Sequence, residues 1–330
     1  MKIKLLVISF LTLAATSARA EEVVIKLGTL APVGSPWHLL LKEMGQKWNQ
    51  ASGGKVSMRI YAGGTMGSEG DMVRKMRVGQ INAAAITVVG LHDVASEPQA
   101  LSSPLVIRST PEYDYVMSKM RPTFDKSLED HGFVALDWSN VGFVHFFSTK
   151  PLVAPGETKD HKVFAWDGDP SSIDAWKAAK FQPVVLSSTD IVPSLQTGMI
   201  DTVAEPTLYA FTAHMSAKAN KMTDLPWSFL VGALVVKKEV WEKVPADLRP
   251  QLLKISEEYS KRIDEEVRKM NESAVDEMKK AGLEVVHATD LPGWQKVADA
   301  ANDAVRGKSV PAPIFDEVAR HVKDYRAAHK

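Results

Sequence analysis

The segment from His161 to Pro206 constrains the fold more than any other part of the chain. Three short apolar runs alternate there with two segments that carry apolar residues at helical spacing. The runs are HKVFAW, QPVVLSS and DTVAEP, and the helical segments are DPSSIDAWKAAK and TDIVPSLQTGMI. This order predicts a compact βαβαβ unit with parallel strands, because parallel neighbours need a crossover helix between them.

The ends of the predicted strands carry the first candidates for ligand contact. Ligand sites of parallel α/β sheets lie at the carboxyl ends of the strands. The first strand of this unit ends at Phe164, Trp166 and Asp167, and the last ends at Glu205 and Pro206. We therefore expect these side chains to meet at one edge of the sheet.

The first twenty residues have the pattern of a secretory signal. Lys2 and Lys4 precede an apolar stretch from Leu5 to Ala15, and Ala18-Arg19-Ala20 is a small-x-small cleavage sequence. The stretch is too short to cross a bilayer, which needs about 20 apolar residues. We expect cleavage near Ala20 and a periplasmic location. No membrane anchor is expected, since no Cys follows the apolar stretch.

Charge and size exclude several classes of function. The chain has 40 basic and 40 acidic side chains among 330 residues, and removal of the signal would leave a net charge of −3. This balance argues against a nucleic-acid partner and against electrostatic binding to a membrane. The chain has no Cys, so it must be stable without disulfides. About 310 mature residues exceed the comfortable size of a single core, which predicts two lobes.

The remaining segments predict how the lobes are built. Residues 23–88 follow the same β-α-β-α-β order, so both lobes are expected to be α/β. Val141–Thr149 and Leu230–Lys237 are apolar runs that could cross between the lobes. From Asp247 to Ala281, apolar residues recur every three or four positions. They predict a helix about 50 Å long that spans both lobes, with a coiled coil as the alternative.

We place the boundaries accordingly. The signal peptide takes 1–20, lobe I takes 21–143 plus 234–265, and lobe II takes 144–233 plus 266–330. The fold class is thus a two-lobed α/β architecture of the periplasmic-binding-protein kind, with crossing strands and a long spine helix.

No catalytic motif accompanies this architecture. The chain lacks G-x-S-x-G, H-E-x-x-H and a Cys nucleophile, and its nine His are not paired at metal-ligand spacing. Gly307-Lys308-Ser309 resembles the end of a P-loop, but it follows a predicted helix and indicates a helix end. Asp167-Gly168-Asp169 is more typical of a turn than of a calcium loop. These absences favour a binding protein over an enzyme.

Several segments, in order, resemble the solute-binding subunits of tripartite ATP-independent periplasmic (TRAP) transporters of the DctP type. They include TLAPVGSPWH at 29–38, YAGGTMGSEGDMVRKMRVGQINAA at 61–84, WSNVGFVHFFSTKPL at 138–152, the whole of 161–206, and LVVKKEVWEKVPADLR at 234–249. The resemblance covers nearly all of the mature chain. It implies two α/β lobes, crossing strands, a spine helix, closure on one small organic acid, and a two-component membrane permease as partner.

The sequence departs from that family where a carboxylate ligand would be held. The usual Arg of a K-[IV]-R-V strand is Phe164, the Arg of G-x-R-H-F is Val144, and the Asn of E-N-P is Glu205. Arg offers a planar pair of donors that neither Phe nor Val can supply. An anionic ligand beside Glu205 would be strongly disfavoured without a compensating cation.

We therefore expect a pocket rebuilt with aromatic rings, for an aromatic, hydroxylated or otherwise atypical compound. The loops 31–38 and 64–69 are expected to roof it. The candidate ligand-binding residues are Phe164, Trp166, Glu205, Trp227, His38, Glu69, Trp138, His145 and Asp167. Each ring could instead pack in the core, Glu205 could form a salt bridge, and Asp167 could cap a helix.

Glu205 requires a donor if it faces the pocket. A ligand hydroxyl or amine, a Lys or Arg from the other lobe, or a bound metal ion would serve. No other cofactor is expected. The alternatives to transport are metal-assisted carboxylate binding, an exported hydrolase that uses Asp167, Glu205 or His145, and a ligand sensor read by a membrane receptor.

Overall fold

The computed structural model describes residues 22–167 and 169–329. The predicted signal sequence with its cleavage site at Ala20, and Gly168 of the predicted turn, lie outside the described residues. The strands of the described part are β1 Val23–Thr29, β2 Val56–Tyr61, β3 Ala83–Thr87, β4 Phe133–Ser148, β5 Lys162–Trp166, β6 Gln182–Leu186, β7 Thr202–Pro206, β8 Lys221–Thr223, β9 Ser228–Lys237 and β10 Glu284–Val286.

Helices connect and cover these strands. The α-helices are α1 Pro36–Ala51, α2 Glu69–Arg77, α3 Val88–Leu91, α4 Thr110–Asp130, α5 Pro170–Ala178, α6 Ile191–Thr197, α7 Thr207–Thr212, α8 Lys238–Trp241, α9 Arg249–Lys280, α10 Leu291–Val305 and α11 Ala312–Ala328. Short 3₁₀ turns occupy Glu97–Ser102, Pro155–Asp160, Ser188–Asp190 and Met215–Ala217. Across 22–167 and 169–329, no helix combines the length and apolar composition that a membrane crossing requires.

The sheet has a parallel group of strands at each end and antiparallel strands between them. Its order is β2-β1-β3-β9-β4-β7-β5-β6, and β8 joins β4 to β10 at the side. β1 pairs in parallel with β2 and β3, and β5 pairs in parallel with β6 and β7. Both predicted βαβαβ units are therefore confirmed. β9 and β4 run antiparallel to their neighbours and connect the two groups.

The strand β4 corrects one prediction. The sequence predicted a strand at 133–137 and a separate run at 141–149, but the structure joins them into one strand of 16 residues. Its pairing with β9 shifts register between Ala135 and Asp137 and again between Asn140 and Gly142. Such bulges insert an extra residue, so they interrupt the alternation that marks a continuous strand in sequence.

The helix α9 confirms the predicted spine. It has 32 residues, about 48 Å at 1.5 Å per residue. Leu252 and Ile263 pack in a cluster with α1 and β1, whereas Ala274 and Met278 pack in a second cluster with β7 and α6. The helix ends just before Gly282, which has a φ of +101°. It therefore contributes to both lobes of the α/β fold, while the exact lobe boundaries stay a prediction.

The side chain of Asn271 connects the spine helix to both neighbouring elements. Its Oδ1 accepts hydrogen bonds from the Thr207 hydroxyl and from the Leu208 backbone N–H, each at 2.9 Å. Its Nδ2 donates to the carbonyl of Val141 at 3.2 Å. Gly142 is required beside it, since a Cβ there would lie 2.6 Å from Nδ2 and the φ of +126° disfavours other residues.

Replacement of Asn271 tests this junction. We expect Asn271→Ala to lower the free energy of unfolding by about 2 to 3 kcal/mol, because it leaves the partly buried groups of Leu208 and Val141 without partners. Urea denaturation followed by circular dichroism measures the change. The exposed neighbour Glu272→Ala is the control and should shift the value by less than about 0.5 kcal/mol. Equal effects of the two substitutions would contradict the assigned role.

Candidate functional site

Two cavities meet at the carboxyl ends of β5 and β7. They have volumes of about 130 Å³ and about 140 Å³. Trp166, Glu205 and Leu230 line both of them. These residues come from β5, β7 and the crossing strand β9, so the cavities lie where the two groups of parallel strands adjoin.

The first cavity extends from Glu205 toward the spine helix. Trp37, Leu41 and Met44 of α1 and Ile263 of α9 form an apolar wall. Ser35 positions this end of α1, because its hydroxyl accepts a hydrogen bond from the His38 N–H. Polar groups are fewer, and the lining residues that carry them include Thr29, Glu69, Thr87, Asp137, Ser139, Glu205, Tyr209, Ser256 and Ser260.

The second cavity has an aromatic wall. Phe164, Trp166, Trp176 and Trp227 line it. The rings of Trp176 and Trp227 stack with centroids 6.2 Å apart, and those of Phe164 and Trp166 lie 5.4 Å apart. Phe164 and Trp227 are also almost fully buried in hydrophobic clusters, so these rings both support the lobe and face the cavity.

Glu205 is the buried polar group that both cavities share. It stands in β7 directly before Pro206, and it is only 2% exposed. Within the described part of the chain, its Oε1 has no hydrogen-bond partner. Burial raises the pKa of Glu205 to about 8, and the nearby Glu69 carboxyl adds to this effect. The predicted salt-bridge alternative is therefore not what the structure shows.

Glu69 lies close to Glu205 but already has partners. Its carboxylate accepts hydrogen bonds from the Thr87 N–H at 2.9 Å, the Thr87 hydroxyl at 2.7 Å and the Gly90 N–H at 2.9 Å. Burial raises its pKa, and these hydrogen bonds oppose the rise. Glu69 therefore fixes the start of α3 and leaves little capacity for a ligand.

The charged side chains that line the cavities are all acidic. They are Glu69, Asp137 and Glu205 in the first cavity and Asp169 and Glu205 in the second. Among residues 22–167 and 169–329, no Lys, Arg or His lines either cavity. A cation from the other lobe was one predicted partner of Glu205, and the described residues do not supply one.

Other acidic groups at the site have partners of their own. Asp137 accepts from the Trp138 N–H at 2.8 Å and lies 3.5 Å from Arg121, while burial raises its pKa to about 6. Asp169 accepts from the Ser172 N–H at 3.1 Å and from the Gln99 amide at 3.2 Å. Asp169 is therefore the helix cap, and the predicted cap at Asp167 is wrong.

Four of the candidate residues lie away from the described cavity linings. The His38 ring nitrogen Nδ1 accepts from the Gly34 N–H at 3.0 Å. Trp138 packs against Phe124 in the core, and its Nε1 donates to Asp125 at 2.7 Å. His145 and Asp167 are the other two.

The last two of these candidates, His145 and Asp167, have distinct surroundings. His145 lies opposite Glu205 in the strand register, but its Nδ1 lies 3.1 Å from the Thr223 carbonyl, and burial lowers its pKa. Asp167 follows β5, and burial raises its pKa with a smaller contribution from the Asp71 carboxylate.

Sequence reasoning missed several residues that line the site. Tyr209 is the third residue of α7 and lines the first cavity; burial first, and the Glu205 carboxyl second, raise the pKa of its phenol. Its position one turn after a predicted strand end was the available signal. Thr87 and Ser139 offered none, because a single hydroxyl in a strand is ordinary.

A metal site has no support from the arrangement of side chains. In the part of the chain that the structure describes, no three His, Cys, Asp or Glu residues are placed to hold a metal ion together. Glu69 is the carboxyl that raises the pKa of Glu205, and it already accepts hydrogen bonds from Thr87 and Gly90.

A two-lobed α/β fold with crossing strands and a cavity between the lobes defines a class of extracytoplasmic solute-binding proteins. The family model described as bacterial extracellular solute-binding protein, family 7 (DctP), matches residues 27–307, and the chain belongs to this family. The family consists of solute-binding proteins and not of enzymes.

Individual relatives are similar to this chain in sequence or in fold. The C4-dicarboxylate-binding periplasmic protein DctP of Rhodobacter capsulatus is 22% identical over 92% of this chain and 89% of its own length. A TRAP periplasmic solute binding protein from Xanthobacter autotrophicus, solved with β-D-galacturonate, has a TM-score of 0.83 at 18% identity over 90% of this chain and 99% of its own. Another TRAP periplasmic solute binding protein, from Sulfurospirillum deleyianum and solved with succinate, has a TM-score of 0.82 at 19% identity. The match covers 92% of this chain and 99% of that protein's own.

The raised pKa of Glu205 predicts how stability changes with pH. The folded-state pKa of about 8 exceeds the ordinary 4.5, so the folded protein retains a proton that the unfolded chain loses between these values. Its contribution to stability is therefore full below pH 4.5 and is lost as pH rises through 8, at no more than about 1.4 kcal/mol per pH unit.

Glu205→Gln removes this titration. Relative to the wild type, we expect the ligand-free variant to gain stability between pH 5 and pH 8.5, as measured by chemical denaturation at both values. Glu258→Gln, an exposed substitution of the same kind, should parallel the wild type. A constant difference between wild type and Glu205→Gln across this range would show that Glu205 keeps an ordinary pKa.

Proposed function

We propose that this chain is the periplasmic solute-binding subunit of a TRAP transporter. It captures one small organic compound between its lobes and delivers it to a membrane permease. The observation that carries the proposal is the pair of cavities between the lobes, which share Trp166 and the buried, unpaired Glu205. Membership of the family supports the role, and the predicted cleavage near Ala20 fits export.

The lining of the cavities favours a ligand that combines apolar surface with a hydrogen-bond donor. Apolar side chains and rings form most of their walls, and Glu205 is a polar group that lines both. Solved relatives hold galacturonate and succinate, which are carboxylates. The absence of a lining Arg or Lys from the described residues makes ordinary dicarboxylates poor candidates here.

Thermal-shift screening of the mature protein tests the function. The panel should contain dicarboxylates, uronates, aromatic acids, polyols and amines, and binding should then be measured by calorimetry. A compound that stabilises the protein and is recovered intact after incubation supports binding without turnover. Chemical conversion of the bound compound would support a hydrolase instead. Unchanged affinity after dialysis against EDTA would exclude the metal-assisted alternative.

Trp166 should report binding and contribute to it. We expect Trp166→Ala to weaken binding of a stabilising compound by about tenfold or more, because a ring that lines both cavities is lost. Trp166→Phe keeps an aromatic surface and should cost less. Titration by calorimetry measures both, and the melting temperature of each ligand-free variant serves as the folding control. Equal affinity of the wild type and Trp166→Ala would place the ligand elsewhere.

A further inference from the structure

The charge of the site restricts the ligand more narrowly than the fold does. Glu69, Asp137 and Asp169 each accept hydrogen bonds from the protein, as described above. Asp137 also has a buried oxygen, Oδ2, with no hydrogen-bond partner in the described residues, but its Oδ1 accepts from the Trp138 N–H and lies 3.5 Å from Arg121. Glu205 differs because its Oε1 is buried without a partner and no hydrogen bond or ion pair of the described residues reaches its carboxyl. The protein thus leaves one carboxyl, almost completely removed from water, for a group that the ligand must bring.

We propose that the solute carries a protonated nitrogen, as an ammonium, amidinium or guanidinium group, which pairs with Glu205 while an apolar or single-ring body fills the adjoining cavity. This inference rests on the proposed binding function and names the chemical class of its substrate. A buried carboxylate is stabilised by a hydrogen-bonded cation far more than by a neutral donor.

The neighbouring groups favour a cation over an anion. Glu69 contributes a second buried carboxyl close to Glu205, and it raises the pKa of Glu205 through like-charge repulsion. An anionic ligand would place a negative charge beside these two buried carboxyls, with no lining Lys, Arg or His among the described residues to offset it. Trp166 lines both cavities beside Glu205, and the face of an indole attracts cations.

The volumes set the size of the body that the nitrogen carries. Each cavity, at about 130 Å³ or about 140 Å³, is close to the roughly 150 Å³ of an apolar cavity that holds benzene. The first has an aliphatic far wall with Leu41, Met44 and Ile263, and the second an aromatic wall. A short alkyl chain or one ring therefore fits either side of Glu205.

Two series of compounds with matched carbon skeletons test the inference. One is 2-phenylethylamine, 2-phenylethanol and phenylacetate, and the other is cadaverine, 1,5-pentanediol and glutarate. Melting temperatures and calorimetric affinities of the mature protein are measured at pH 7 for each. We expect the amine of at least one series to bind about tenfold tighter than the matching alcohol, and the carboxylate to bind most weakly.

Variants then locate the head group. Glu205→Gln should weaken amine binding by about tenfold or more and change alcohol binding by less than about threefold. Glu258→Gln, which is exposed and lines neither cavity, should leave the binding of both compounds unchanged. The comparison of amine, alcohol and carboxylate uses the unmodified protein. It therefore decides whether the site prefers a cation even if Glu205→Gln folds poorly.

The possible outcomes distinguish failure of the cationic-ligand inference from failure of the proposed solute-binding function. Tightest binding of a carboxylate would overturn the cationic ligand and leave the binding function standing. Equal binding of alcohol and amine would indicate that a protonated Glu205 donates to a neutral group, and it too would overturn the inference. If no compound of either series or of the broader panel stabilises the protein, both proposals fail.

Discussion

The bend of β4 at its second bulge determines where the two lobes meet. At Asn140 the backbone N–H donates to Asp264 of the spine helix at 2.7 Å, and at Val141 the carbonyl accepts from Asn271, about two turns further along that helix. Asn271 also accepts hydrogen bonds from the Thr207 hydroxyl and the Leu208 N–H at the start of α7, directly after Glu205 and Pro206. The spine helix therefore positions the crossing strand and the binding residue together, and a shift at the bulge would move Glu205 relative to the first lobe.

The site itself opposes the stability of the ligand-free protein. Buried carboxyls are normally hydrogen-bonded or paired, because removal from water costs several kcal/mol otherwise. Glu69 obeys this rule through Thr87 and Gly90, whereas Glu205 does not. A local violation of this kind is expected where a ligand completes the structure. We expect the arrangement around Glu205 to become more favourable when a suitable donor enters, so that binding would stabilise it.

Much of the frame could be predicted because it depends on periodic patterns. The parallel units, the spine helix and the meeting of Trp166 with Glu205 follow from spacing and from the geometry of parallel sheets. Trp138 and His145 could not be placed, since sequence does not say which face of a bulged strand meets the core. The cap at Asp169 was assigned two residues early, because Asp167 and Asp169 suit a helix start equally well.

Three departures from the family pattern act in the same direction. Phe164 and Val144 stand where the resemblance implies Arg, and Glu205 stands where it implies Asn. Two of the changes each remove a positive charge and the third adds an acidic group, and Glu205, Phe164 and Val144 all line the second cavity. Loss of one Arg alone would leave a weak carboxylate site. Loss of two, with a carboxylate gained at the point where both cavities join, reverses the electrostatic preference while the lobes, the crossing strands and the spine stay the same.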